Sequence, residues 1–149
     1  RRGAWRGAAV GVVVKERGRG VAGSVNRGVS GGKEDMGRLN SNIVGSRGWI
    51  EGLKDWATEI GPMIGRVNAR LRYPDGRIQD GGRCGARTWL PQWFAHRYAG
   101  QLAGFCPSRI PTYNWGAGGA CLYIPRDCYQ HLGGLDDRTW LRCADDDYP

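Results

Sequence analysis

The stretch Val67–Gly82 reads V-N-A-R-L-R-Y-P-D-G-R-I-Q-D-G-G, and its alternation decides the fold class. Val67, Ala69, Leu71 and Tyr73 fall on one side of an extended chain, with Arg66, Asn68, Arg70 and Arg72 on the other. That is the period of a half-buried strand. Pro74-Asp75-Gly76 then predicts a turn, with proline fixing φ and glycine accepting a positive φ. Asp75, between those two, reads as a turn residue rather than a catalytic acid. Arg77-Ile78-Gln79 returns as a short strand.

Upstream, Trp49, Ile50, Leu53, Trp56, Ala57 and Ile60 recur at helical spacing and give one apolar face. Ser46 is the expected N-cap and Gly61-Pro62 the stop. Downstream, residues 83–115 read as irregular and aromatic. Ala120–Ile124 reads as a buried strand and Arg126–Leu132 as a short helix stopped by Gly133-Gly134. His131 is its C-terminal capping residue. Helices and strands mixed in this order predict an α/β or α+β layer. Residues 1–38 differ: they are Arg- and Gly-rich, with one plausible strand at Ala8–Val14, and glycine at that density argues against good folding. No internal repeat is visible.

Composition narrows the class. A chain of 149 residues, 40% hydrophobic with 7 Trp, is one domain with a buried core. No apolar run reaches the roughly 20 residues that span a bilayer, and no secretory signal is evident. The 5 cysteines are irregularly spaced without a C-x-x-C pair, which predicts a reduced, cytoplasmic chain rather than a zinc site or a disulfide framework. His96 and His131 read as isolated, excluding a histidine-rich metal cluster. The net charge of +8 suits nucleic acid, an anionic membrane surface or a phosphorylated substrate. Its arginines are spread out rather than run together, which weakens the nucleic-acid reading.

Four blocks carry a resemblance. Val67–Gly82 is similar to a segment of family 2 glycosyltransferases, in particular the rhamnosyltransferase-like branch, which has a strand, a Y-P-D-G turn, then I-Q and small residues. Gly119–Asp137, G-A-C-L-Y-I-P-R-D-C-Y-Q-H-L-G-G-L-D-D, resembles the family's G-A-C-L…R…G-G-F-D-E block. Ala144–Tyr148, A-D-D-D-Y, resembles its E-D-x-D motif. Leu39-Asn40-Ser41-Asn42 stands where the family has L-N-x-D, ahead of a G-W-I helix. More faintly, Gly20–Gly28 resembles the family's glycine- and asparagine-bearing lead into a helix. The resemblance spans about residues 18–148 and is strongest from Trp49 onward.

What the resemblance implies is an α/β, partial GT-A fold: a Rossmann-like mixed sheet with flanking helices. It would bind a nucleoside diphosphate sugar beyond the carboxyl ends of its strands and pass the sugar, with inversion, to a saccharide or other hydroxyl acceptor. Asp145 would be the base and Asp147 would support the site's geometry, with Ala144 in place of the usual glutamate. Asp136 would cap or orient its loop. Asn40 and Asn42 would lie in the donor and metal region, and Trp89, Trp93 and Trp115 in the acceptor region, where core anchoring competes with stacking on a sugar. The family uses Mg²⁺ or Mn²⁺; Asn42 replaces the expected aspartate, and a neutral amide is a poor partner for a hard cation. Arginine is then the alternative neutraliser of the diphosphate.

The family pattern also leads to the expectation of a single, incomplete catalytic domain over residues 1–149, family-like from 39 to 149. Lys33–Arg38 should be a buried strand, yet K-E-D-M-G-R is too polar for a central one. Placement at the inner face of a membrane, as a peripheral protein, is compatible with such an enzyme. Two other classes compete: a non-catalytic scaffold of the same fold, and a basic module binding nucleic acid through the Arg-Gly segment with aromatic stacking. The first is indifferent to Asp145→Asn; the second loses affinity steeply with salt.

Overall fold

The computed structural model describes residues 20–61, 64–85, 94–114 and 116–136. The arrangement is mixed α/β, built around Cys121–Ile124, the central strand β7. All 4 of its residues are buried, because both faces of the strand are covered. Strand β1 (Met36–Leu39) and strand β2 (Val67–Asn68) flank it, each antiparallel to it, so β1 and β2 run in the same direction. Side chains alternate across the sheet. Cys121 and Tyr123 therefore face one layer, where Leu53 and Ala57 of helix α2 (Trp49–Ile60) and Leu71 are buried. Leu122 and Ile124 face the other, with Met36, Tyr129 of helix α3 (Arg126–His131), and Val25 and Val29 of helix α1 (Gly20–Ser30). The sheet thus has helices on both faces.

Several expectations are corrected. Residues 20–30 form helix α1 within the Arg/Gly-rich segment, because Ala22, Val25 and Val29 give it an apolar side to bury. Ala8–Val14 lies outside the described residues. The strand over Lys33–Arg38 is neither central nor wholly buried: β1 covers Met36–Leu39 beside β7, Met36 is buried, and Lys33, Glu34 and Asp35 stay exposed. Helix α2 is preceded not by a Ser46 cap but by Gly48 at φ 75°. The Ser46 carbonyl instead accepts from Trp49 N in the preceding turn.

The Val67–Tyr73 run divides between sheets. Val67 and Asn68 pair with β7, whereas strand β3 (Leu71–Arg72) pairs with strand β4 (Ile78–Asp80), with a register shift between Leu71 and Arg72. Leu71 is buried but Tyr73 is exposed, since the shift ends the alternation before it. The turn forms as expected: Gly76 has φ 85°, its N–H donates to the Tyr73 carbonyl, and Asp75 accepts from Arg77 N at 2.8 Å. Residues 83–115 are more regular than their sequence suggests. Strand β5 (Arg83–Gly85) pairs with strand β6 (Phe94–His96), and a 3₁₀ turn covers Cys106–Arg109. Arg70 holds that turn, donating to the Ala103 and Ser108 carbonyls and to Ser108 Oγ.

At the other end of β7, the Tyr123 hydroxyl donates to the Asp35 carboxylate, which also accepts from Arg126 N at 2.9 Å. The tyrosine hydrogen bond holds the Asp35 carboxyl below its ordinary value, and burial pushes the Tyr123 phenol up. A depressed carboxyl contributes stability above the unfolded range, near ~3.9, and loses it as pH falls through the folded value. Asp35 is exposed, so Tyr123→Phe should cost only about 1 kcal/mol at neutral pH. Urea midpoints of the two proteins should draw together as pH falls through the folded Asp35 value; a gap that does not narrow would mean the hydroxyl acts other than through the carboxylate's charge.

Gly133 and Gly134 end α3 with φ 72° and 94°. They let Leu135 reach Asn26 of α1, whose Oδ1 accepts from Leu135 N (2.9 Å) and the Tyr129 hydroxyl (2.6 Å), while its Nδ2 donates to the Leu135 carbonyl. A Cβ at residue 134 would sit 3.1 Å from Asn26 Oδ1, so the glycine pair is shaped to this contact. Asp136 is exposed beyond it, and His131 is exposed in the last turn of α3.

Candidate functional site

The carboxyl ends of β1 and β2 meet the amino end of β7. Asn40, just past β1, donates its N–H to the Ala120 carbonyl at 2.8 Å, and Ala69, just past β2, donates to the Cys121 carbonyl. The L-N-S-N stretch, the start of the Val67 run and the G-A-C-L block therefore converge at one edge of the sheet. Asn40 Oδ1 accepts from the Arg38 guanidinium at 3.2 Å, while the backbone at 40–42 turns away and leaves Asn42 exposed. These residues do not fit a divalent cation. Both amides are neutral, and a guanidinium already occupies the Asn40 oxygen, whereas Mg²⁺ and Mn²⁺ are held by carboxylates and other uncommitted oxygens. Among the described residues no group of three His, Cys, Asp or Glu side chains is placed to hold a metal. Asp145, Asp147, Trp89, Trp93 and Trp115 lie outside the described residues.

Beside this edge lies a buried ionic cluster that sequence reasoning missed. Asp80, at the end of β4, is 2% exposed and Arg83, at the start of β5, 7%. Asp80 Oδ1 accepts from Gly82 N at 2.7 Å; its Oδ2 stands 3.8 Å from Arg83 Nε and 3.2 Å from His96 Nδ1. His96 is therefore not isolated. It reaches Asp80 because β6 pairs with β5 in a register that sets His96 opposite Arg83. The sheet edge and the cluster share a wall: a Cβ on Gly118, two residues before Ala120, would fall within van der Waals overlap of Asp80 Oδ2. Residue 118 must be glycine-sized for the carboxylate to sit there. Gly82, at φ 110°, packs equally closely on Asn114. The available signal was the run of glycines around an acid, Q-D-G-G, which marks close backbone approach as readily as a turn.

The cluster is sealed on one side and open on the other. His96 Nδ1 has no solvent contact and makes no hydrogen bond of good geometry, although the Asp80 carboxylate faces it at 3.2 Å. A third of the His96 side chain is nonetheless exposed, 33% against 3% for Asp80. With Nδ1 sealed, that exposure lies on the remainder of the side chain. Next to it Tyr98 holds φ 62°, uncommon for a residue with a Cβ, and packs edge-on to Phe105 with ring centroids 5.5 Å apart.

No family model and no solved structure matches the chain. An uncharacterised protein of Sinorhizobium fredii, y4gI, is 32% identical over 113 residues, which cover 66% of this chain and 12% of that protein. The chain therefore spans about an eighth of that relative's length.

Proposed function

We propose that the chain is part of a GT-A glycosyltransferase that transfers a sugar from a nucleoside diphosphate sugar to a hydroxyl of a saccharide acceptor. The observation that carries the reading is the convergence of the resembling blocks. L-N-S-N follows β1, G-A-C-L-Y-I forms β7 between β1 and β2, and the Asn40–Ala120 hydrogen bond joins the two at the strands' carboxyl edge. Ligands of such sheets sit beyond that edge.

In this reading Asp145 takes the acceptor proton and Asp147 supports it, and the charge on the departing diphosphate is met by the chain's own cationic groups rather than at Asn40 and Asn42. Preorganised cations of that kind stabilise a leaving phosphate without rearrangement at the moment of reaction. The protein acts in the cytoplasm, at the inner face of a membrane. Among the described residues no helix is long and apolar enough to cross one.

The test is thermal unfolding of the chain with UDP, dTDP or GDP, each with and without Mn²⁺. One nucleotide should raise the transition, since ligand at roughly 100 times Kd adds about 2.7 kcal/mol to the native state. Mn²⁺ should add little to the shift. A transition that no nucleotide moves would remove the transferase reading. A shift given by oligonucleotides and lost with salt would install the nucleic-acid alternative.

A further inference from the structure

The Asp80–His96 pair has no role in the reading above, yet its geometry is that of a prepared polar group. A carboxylate facing histidine Nδ1 repels a lone pair there and favours the proton on that nitrogen, leaving Nε2 as the acceptor. Three features separate the pair from an ordinary surface contact. The carboxylate is fully enclosed, seated on Gly82 N and under Gly118. Nδ1 is sealed whereas a third of the His96 side chain is exposed. The pair also borders the strand edge proposed to bind the donor, through residues 118–120. His96 directly follows Phe94-Ala95 in β6, so it stands three positions beyond Trp93.

We propose that His96 Nε2 accepts a hydrogen bond from a hydroxyl of a saccharide, making the Asp80–His96 pair an acceptor-binding subsite. This deepens the transferase reading and rests on it. No covalent step is involved: the Asp80 charge, 3.2 Å from Nδ1, favours a proton on that nitrogen over a lone pair, which leaves the lone pair on Nε2. A sugar hydroxyl is the matching donor, being neutral and directional. Such a contact would contribute to orientation of the acceptor, on which the rate of transfer depends.

Imidazole NMR tests this directly, because the chain has 2 histidines and His131 serves as the internal reference. At a pH where the ring is neutral, His96 should carry its proton on Nδ1. Asp80→Asn should move it towards Nε2, while His131 stays unchanged. Addition of L-rhamnose, D-glucose or N-acetyl-D-glucosamine should then shift the His96 Nε2 resonance in the wild type. His96→Gln lies on a partly exposed position and should keep cooperative unfolding and nucleotide binding. It should weaken the responding sugar by about tenfold, the value of one directed hydrogen bond near 1.4 kcal/mol.

An Nε2-protonated ring in the wild type, or a His96 resonance that none of the sugars moves, overturns the subsite while nucleotide-dependent stabilisation leaves the transferase reading intact. Sugar binding with no nucleotide effect overturns both as stated. If Asp80→Asn fails to fold, the wild-type tautomer and the His96→Gln affinity decide the question.

Discussion

Asp80→Ala should lower the unfolding free energy by about 3 kcal/mol or more, the range for deleting one partner of a buried charged group. The carboxylate is 2% exposed and faces Arg83 and His96 while accepting from Gly82 N. Its removal strips three groups of one shared acceptor inside an enclosed site. Asp80→Asn should cost distinctly less, since its amide oxygen can still accept from Gly82 N. Urea unfolding measures the difference: the midpoint should fall for both variants, further for alanine, at an unchanged slope. Equal losses would mean that the charge carries the whole effect and the contact to Gly82 N none of it. No loss for alanine would mean the cluster is not closed in solution.

Ile78→Ala should cost about 2–5 kcal/mol and Ile78→Val about 0.5–1.5. Ile78 is 0% exposed, and its backbone is fixed on both sides. It pairs in β4 with β3, its N–H donates to the Gln101 carbonyl, and its carbonyl accepts from Gly100 N, both at 2.8 Å. A side chain held by a backbone so constrained cannot be replaced by local collapse, so the alanine variant keeps its cavity. Paired denaturation curves check this, and a penalty below that of valine would show that the hairpin relaxes. Its neighbour Asp80 is close in the chain, so the double variant should not be additive.

The elements that were legible in the sequence are those with strong local periodicity. The apolar run at Cys121–Ile124, the helical spacing from Trp49 to Ile60 and the Pro74-Asp75-Gly76 turn each announce themselves within a few residues. What escaped depended on contacts between distant residues. Nothing local distinguishes Asn68 from Leu71 as the point where the strand leaves one sheet for another, because the alternation runs on while the hydrogen-bond partner changes. Strands β5 and β6, R-C-G and F-A-H, are three residues each, with Phe94 the only strongly strand-favouring residue between them, so propensity gives little signal. Asp80 stands in Q-D-G-G, where nothing local marks it as buried. Its burial is created by Gly118 and His96, 38 and 16 positions away in the chain. Of the residues described at the candidate site, the sequence motifs named Asn40 and Asn42 but gave no sign of the ionic cluster.

The central strand also carries a chemical clock. Cys121 is 4% exposed, and burial pushes its thiol up, whereas Cys106 is exposed and Cys84 and Cys128 are intermediate. Thiolate is the reacting form, so an alkylating reagent meets these sulfurs in order of access and meets Cys121 only when the layer of Leu53, Ala57 and Leu71 lifts from that face of β7. The slowest labelling phase therefore reads how often the middle of the molecule opens, without any added probe. Whatever binds at the Asn40 edge should slow that phase, since the edge is formed by the residues on either side of Cys121.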